Sequence, residues 1–548
     1  ATKSASLYDA HTFFINASKS PQAAKAIDNK FILSKVSLSP IKAHFPEGFS
    51  KDIAYTLNKL NSTPVLLNTP YLRYLSFLEY DDLYKMLDLK LKNEIISIGL
   101  AWANSKAILI AIAEWYMNNN KTHFYMKYMH DFRGRLYPEL THVRHMSHKF
   151  LRPLFIPKDS PVFTHEMLME RVYTGKTDNK AFEMWYNIVI NIEGINKIDL
   201  KDVNSAKELY KILQDFKKGV NNWNDIARVT ELVELRKEGH SITPAPIEYD
   251  AKASVLQHAA AVSGNEKILA MLGMLEIEGV NKEDIYLNTA NKIVDKLEEW
   301  LEQEVTADTT TSDTIVATLE ALINRLKNLP SEQLRTIAKK PLITKAYNST
   351  DYRVMKYVWK DLKDFKVDWR GEMITTFIIA LKARLTDVIM KEIRLMKQVQ
   401  GLIENTNIPY GWSIAPNSDF VVYCNNPIKE TKEVVLKSPL SGYSIHTNMN
   451  VLKQGQNKLK NRNRIFVNII HSLDALHIAL IIKHTHNYIL PIHDAILVHI
   501  GADITKIQDT INTTFKLIHD DNKSFKRIIR QLEAQTGNVR GIQFHKTR

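Results

Sequence analysis

A chain of 548 residues, 45% of them hydrophobic, is too long for one small core and has the apolar content to fill several. Its formal net charge of +13 favours a polyanionic partner. A single cysteine, Cys424, excludes an internal disulfide framework or a cysteine-ligated zinc and fits a reducing compartment. No uninterrupted apolar run reaches the roughly 18 residues of a membrane span and no signal peptide is visible, so neither membrane insertion nor secretion is expected.

In chain order, residues 1 to about 50 mix short apolar clusters with no usable motif, and about 50–125 read as helical, with AILIAIAEW (107–115) as a buried helix. MHDFRGRLYPE (129–139) sets Asp131, Arg133 and Arg135 among aromatics, the composition either of a surface ion pair or of a phosphate contact. Residues 155–240 read as mostly helical and solvent-facing. Asp250 then falls where an extended segment gives way to the helical AKASVLQHAAAV, a place for an N-cap or for a carboxylate held beside an ion. An amphipathic helix spans 281–304, a Thr/Asp-rich loop follows, and a second helical stretch runs to Pro330. Within 330–350, Arg335, Lys339, Ile343 and Tyr347 recur every four residues and form one drifting helical stripe, which Pro341 is expected to kink or restart. Residues 369–403 read as one long helix and 411–447 as β-hairpin material. The basic run NKLKNRNR (457–464) reads as a solvated loop, with a composition that also suits a phosphodiester backbone, and the helix behind it carries His471, Asp474 and His477. Last, LPIHDAILVHI (490–500) reads as two short strands around a polar turn, in which Asp494 either caps its own backbone or binds a metal.

Each of these signals alone has an ordinary structural explanation. In order, DFRGRLYP, DAKASVLQH, RTIAKKPLITKAYNS, NIIHSLDALH and IHDAIL resemble the successive signatures of single-subunit RNA polymerases of the phage and mitochondrial type. DIY (284–286) and GWSIAPNSDFVVY, which resembles the lead into that family's promoter-specificity hairpin, add weaker points. The likeness covers roughly residues 90–500. It implies an α+β, predominantly helical, right-hand polymerase fold. An N-terminal remnant (1–40) and a thumb-like helical region (41–125) would precede the first part of a palm (126–280). Fingers (281–467), with a specificity-hairpin-like segment near 408–450, would precede the second part of the palm and a C-terminal tail (468–548).

The implied activity is RNA synthesis from ribonucleoside triphosphates on a DNA template, with two Mg²⁺ ions roughly 4 Å apart. Asp250 and Asp494 would hold the metals, with Ala251 adding its backbone carbonyl. Arg335 and Lys339 would bind the triphosphate, Lys339 also passing a proton to pyrophosphate. Tyr286 would join the substrate site, Tyr347 would gate it and His471 would sense the ribose 2′-hydroxyl. Arg133 and Arg135 would contact the template or hybrid backbone.

Three departures bear on sugar choice. Ala251 and Asn348 stand where the family has glycine, and Val255 stands where the RNA enzymes have glycine and the related DNA polymerases a glutamate. A primase or DNA polymerase on the same palm is therefore the alternative enzyme. A non-catalytic nucleic-acid-binding relative is the alternative outside enzymes, opposed by retention of both aspartates and the Arg–Lys–Tyr stripe. Only 130 residues precede the DFRGR segment, where full-length relatives have some hundreds. The expectation is dependence on single-stranded template, a second subunit or a DNA-binding promoter factor. The expected setting is the cytoplasm of a phage-infected bacterium, with delivery in the virion as one route.

Overall fold

A computed structural model describes residues 36–41, 51–77, 105–167 (apart from 116, 141–144 and 147), 223–277 (apart from 238 and 252), 284–307, 312–346, 349–364, 371–414 (apart from 405), 421–437, 444–539 and 541–542, with isolated positions between 198 and 211. Helices dominate, and the strands form small antiparallel sheets.

The first elements are β1 (Val36–Ser37), α1 (Lys51–Asn61), β2 (Pro64–Leu67) and α2 (Thr69–Phe77), followed by β3 (Phe124–Met126), the hairpin β4 (Tyr128–His130)–β5 (Leu136–Pro138) and β6 (Phe155–Pro157). Strands β1, β3, β2 and β6 make a four-stranded sheet in that order. Residues 105–115 are helical and bury Leu109 and Ile112, as the apolar run predicts. Next, α3 (Trp223–Leu235) departs from the expected solvent-facing helix, because its charges are buried and paired. Glu231 is fully buried and accepts from Asn68 Nδ2 (2.7 Å), the Ala245 backbone N–H (2.7 Å) and Arg228 Nη1 (2.8 Å). A charge satisfied on three sides carries little of the desolvation cost that makes composition a guide to exposure.

β7 (Ile247–Asp250) leads into α4 (Ser254–Ser263) and α5 (Glu266–Met271). A helical array follows: α6 (Ile285–Ala307), α7 (Ser312–Lys327), α8 (Ser331–Ala346), α9 (Asp351–Asp364), α10 (Gly371–Val388) and α11 (Met390–Leu402). Helix α8 runs on through Pro341 instead of restarting there. Proline removes one backbone donor, at a cost of about 3 kcal/mol, and the burial of Ile337, Ala338 and Leu342 around it holds the turn. The single helix expected over 369–403 is two, parted at Ile389 (φ −113°, ψ 32°). Ile389 N–H still reaches Leu385 O (3.1 Å) and Ile393 N–H reaches Ile389 O (2.9 Å). The apolar period therefore continues across the bend, which is why sequence shows one helix.

The expected hairpin region contains β8 (Tyr410–Ser413) paired with β9 (Val421–Cys424), then the long hairpin β10 (Pro427–Lys437)–β11 (Ser444–Gln456). The NKLKNRNR run is not a loop. It opens α12 (Lys458–His484), with the Asn457 side chain accepting from Lys460 N–H (2.9 Å) as N-cap. Among the described residues α12 alone is long and apolar enough to cross a membrane, but 89% of its apolar window is buried within the protein, which makes it the core helix. It packs against α1, α4 and α11, and its C-terminal carbonyls at Ile482 and Thr485 accept from Lys59 Nζ of α1. The chain closes with β12 (Leu490–Ile492), β13 (Ala495–Val498), α13 (Ile504–His519) and α14 (Lys523–Thr536). Strands β12, β13 and β7, in that order, form the sheet that carries the site.

Candidate active site

The two aspartates meet at one end of that sheet. Ala495 pairs with Asp250 across the β13–β7 ladder, and Asp494 is the residue just before Ala495. The turn that presents Asp494 is a two-residue loop, because Ile492 pairs with Ala495. His493 takes its first position with φ +54°, and Ala253, at the head of α4, has φ +61°. Left-handed backbone at a residue other than glycine costs roughly 1–2 kcal/mol, so strain flanks both carboxylates. Ser254 Oγ donates to Asp494 Oδ2 at 2.9 Å.

Charge is crowded here. Asp250 is exposed overall, yet partial withdrawal of its carboxyl from water, followed by the charges of Asp494 and Glu248, raises its pKa, with Lys339 and Arg152 opposing. Glu248 lies two residues before Asp250 on the same face of β7 and accepts from Arg152 Nη1 at 2.5 and 2.7 Å. Such a set gains from a divalent cation, which removes the repulsion that raises Asp250. Hard oxygen donors with room for water and substrate oxygens suit Mg²⁺. Among the described residues no group of three metal-ligating side chains converges into a closed cage of the zinc type. Ala251 follows Asp250 directly and is half-buried.

Opposite the sheet, α8 supplies the cations. Arg335 stacks over the Tyr286 ring with its Cζ 5.0 Å from the centroid, and Lys339 Nζ lies 5.6 Å from the same centroid. Arg335 Nε donates to Asp284 Oδ2 at 2.6 Å. Burial acts to raise the Asp284 carboxyl, but that bond and the N–H groups of Leu287 and Tyr286 hold it below its ordinary value. Tyr286 is buried, and desolvation pushes its hydroxyl up to about 12. Asp250 and Asp494 both act on Tyr286, and Lys339 acts on Asp250. The helix stripe and the aspartates therefore share one site. Tyr347 and Asn348 lie outside the described residues.

The DFRGR segment turns inward. Asp131 Oδ1 accepts the backbone N–H groups of Arg133 (2.9 Å) and Arg135 (3.0 Å), and Gly134 takes φ +89° to complete the turn. Arg133 is clamped to Asp131 Oδ2 through Nε (2.9 Å) and Nη2 (2.7 Å), and its Nη1 lies 3.2 Å from His471 Nδ1. A guanidinium only donates, so His471 Nδ1 accepts. Arg135 Nη2 donates to Asp474 Oδ2 at 3.0 Å. Both arginines thus brace α12 one turn apart. Burial, then Arg135 and Arg133, drive His471 down to about 2, leaving it neutral.

Several members of this set escaped the sequence reading. Asp474 is buried, and desolvation lifts it to about 7 despite Arg135. Its Oδ1 is 3.9 Å from Nε2 of the buried His258, whose Nδ1 meets His519 Nε2 at 2.8 Å. Glu248 and Ser254 were accessible from strand and helix spacing around Asp250. Asp284 stands within the DIY motif. The pairing of His258 with Asp474 has no local signal.

A family model described as DNA-dependent RNA polymerase matches residues 198–547. The chain belongs to that family. The matched span holds both aspartates, the Arg335–Lys339 helix and His471, whereas Arg133 and Arg135 precede it. This family member is 24% identical over 544 residues to a probable DNA-directed RNA polymerase of Gelasinospora sp. (strain G114), covering 89% of this chain and 58% of the relative. It is 21% identical over 420 residues to the mitochondrial DNA-directed RNA polymerase of Mus musculus, covering 72% of this chain and 32% of the relative. The chain thus spans 58% and 32% of the lengths of these two relatives.

Proposed function

We propose that the chain is a DNA-directed RNA polymerase that adds ribonucleotides by two-metal nucleotidyl transfer. The observation that carries this is the meeting of Asp250 and Asp494 at the end of the β13–β7 pair, with Lys339 in their field. In this reading β12, β13, β7 and α12 belong to the palm, α6 to α11 to the fingers and the helices around α1 to the thumb. The long β10–β11 hairpin takes the place of the promoter-reading hairpin.

Asp250, Asp494 and the Ala251 carbonyl would hold two Mg²⁺ ions, which supply activation of the primer 3′-hydroxyl and neutralisation of the phosphate charge. Arg335 and Lys339 take the triphosphate oxygens. Tyr286 beneath them keeps both cations over an apolar ring, and Asp284 sets the angle of Arg335. Lys339 is placed to give its proton to the departing pyrophosphate. His471, held neutral, meets the ribose 2′-hydroxyl as a hydrogen-bonding partner, and Tyr347 gates the pocket. Arg133 and Arg135 orient that wall in the absence of nucleic acid, and contact with the template or hybrid backbone would draw on the same loop. The reading extends to use of single-stranded template, or of a second subunit or promoter factor, by these 548 residues. It also extends, on motif resemblance, to a bacteriophage source acting in an infected bacterium.

Asp494→Asn is expected to abolish nucleotide addition on a primed DNA template while leaving DNA binding near wild type. Incorporation at the wild-type rate would refute the metal assignment. The same extension run with ribonucleotides or deoxyribonucleotides alone separates this reading from a DNA polymerase or primase. Run-off synthesis compared on single-stranded and linear duplex promoter templates tests the need for a factor.

A further inference from the structure

Two helices outside the carboxylate site carry cations that, among the described residues, meet no carboxylate: Arg394 and Lys397 on α11, Arg527 and Arg530 on α14. On α14, Lys523, Lys526, Arg527 and Arg530 follow i, i+3, i+4, i+7 spacing and line an open groove of ≈ 440 Å³. Asp520 and Asp521 pair with Lys523 (2.6 Å) and Lys526 (3.0 Å), and among the described residues neither Arg527 nor Arg530 meets a carboxylate. Arg527 is half-buried. Its Nη2 is spent on the Ile414 carbonyl (2.9 Å), its Nε is buried without a partner, and burial lowers its pKa. A desolvated cation without a counter-charge is costly unless an anion arrives from outside. On α11, which packs against α14, Arg394 and Lys397 are exposed, meet no carboxylate among the described residues, and line a second open groove of ≈ 460 Å³.

We infer that the outer face of α11 and α14 is a docking surface for the phosphate backbone of duplex DNA, separate from the nucleotide-addition site. Neither groove is lined by an aromatic side chain, and single strands are gripped largely through base–aromatic stacking. Neither offers an apolar anchor of the kind that centres a protein interface. Cations spread over two helices suit the dense and regular charge of a duplex irrespective of its sequence.

The test is the full chain carrying Arg394→Gln, Lys397→Gln and Arg530→Gln together, all exposed positions. Fluorescence anisotropy would follow binding to a blunt duplex of arbitrary sequence and to a single strand of the same length over a range of salt. Each phosphate contact contributes about 0.9 to the log–log salt slope. The duplex slope is expected to fall by about 2 to 3 and duplex affinity at low salt by about tenfold or more, with single-strand binding within about twofold of wild type. Extension of a short primed strand is expected to be unchanged, so this proposal and the catalytic assignment fail separately. An unaltered duplex slope would overturn it. So would an equal loss on single strands, or an equal effect from removing three charges elsewhere through Lys121→Gln, Lys158→Gln and Lys506→Gln.

Discussion

Asp474→Asn gives a sharp test of the charge arrangement behind the site. Asp474 is 2% exposed, and burial, together with the fields of Asp494 and Asp250, lifts its carboxyl to about 7 against the pull of Arg135. Its ordinary value, which it takes in the unfolded chain, is 3.8. The folded state therefore holds a proton that the unfolded state has released across the window between those values, and stability from this group falls as pH rises through it. From pH 5 to pH 8 the wild type loses the contribution of about two pKa units, roughly 3 kcal/mol at about 1.4 kcal/mol per unit. Asparagine has nearly the same shape, keeps an acceptor for Arg135 and does not titrate, so the variant lacks this loss. Unfolding entropy of roughly 2.1 cal/mol/K per residue makes 3 kcal/mol worth about 2–3 °C for a chain of 548 residues that melts as a unit. The measurement is the thermal midpoint of both proteins at pH 5 and pH 8 in chelator. The variant's midpoint relative to wild type is expected to rise by about 2 °C between the two conditions. A flat difference, or one of opposite sign, would mean that Arg135 keeps Asp474 ionised throughout.

Ser254→Ala removes the donor to Asp494 Oδ2. A hydrogen bond to a charged acceptor is worth about 1.5–3 kcal/mol, so kcat is expected to fall by about ten- to a hundredfold with nucleotide KM unchanged, and a steady-state titration in both nucleotide and Mg²⁺ checks it. Gly501→Ala would set a Cβ 2.7 Å from Cγ of Pro161, a ring that cannot swing aside. The expected cost is about 1–3 kcal/mol, read as a lowered thermal midpoint. Trp412 is fully buried and donates to Ser472 Oγ at 3.2 Å. Replacement by alanine is expected to cost about 3–5 kcal/mol, and by phenylalanine, which loses mainly that bond, about 1–2 kcal/mol. Reversed ranking in thermal unfolding would mean that packing around β8 is loose.

The site was legible where chemistry and periodicity share a short stretch. Arg335 and Lys339 announce a common helix face by spacing alone. The two apolar runs of LPIHDAILVHI, broken only at His493-Asp494, mark both strands and the turn that holds Asp494. What stayed hidden depends on partners from distant segments. The charges of α3 look solvated until Asn68, Arg228 and the Ala245 N–H are seen around Glu231. The first turns of α12 look like a loop because apolar burial begins in earnest only at Ile465, while Asn457 and the basic residues beyond it are satisfied locally. The arginines of DFRGR advertise phosphate binding by composition, yet in the protein alone Asp131, His471 and Asp474 hold them. A guanidinium serves carboxylate, imidazole and phosphate alike.

The order of strands β12, β13, β7 has a consequence for how the molecule is made. β12 and β13 close on each other through a two-residue turn, a pairing local in the chain. β7 is synthesised far earlier, and the contact of Ser254 with Asp494 spans 240 positions. Until β13 emerges, the strand carrying Asp250 has a bare hydrogen-bonding edge, the kind of surface that recruits stray strands. A ribosome-bound intermediate thus holds half of the carboxylate pair and a sticky edge for as long as the segment between β7 and β13 takes to be made. The final strand converts both at once, hiding the edge and completing the pair.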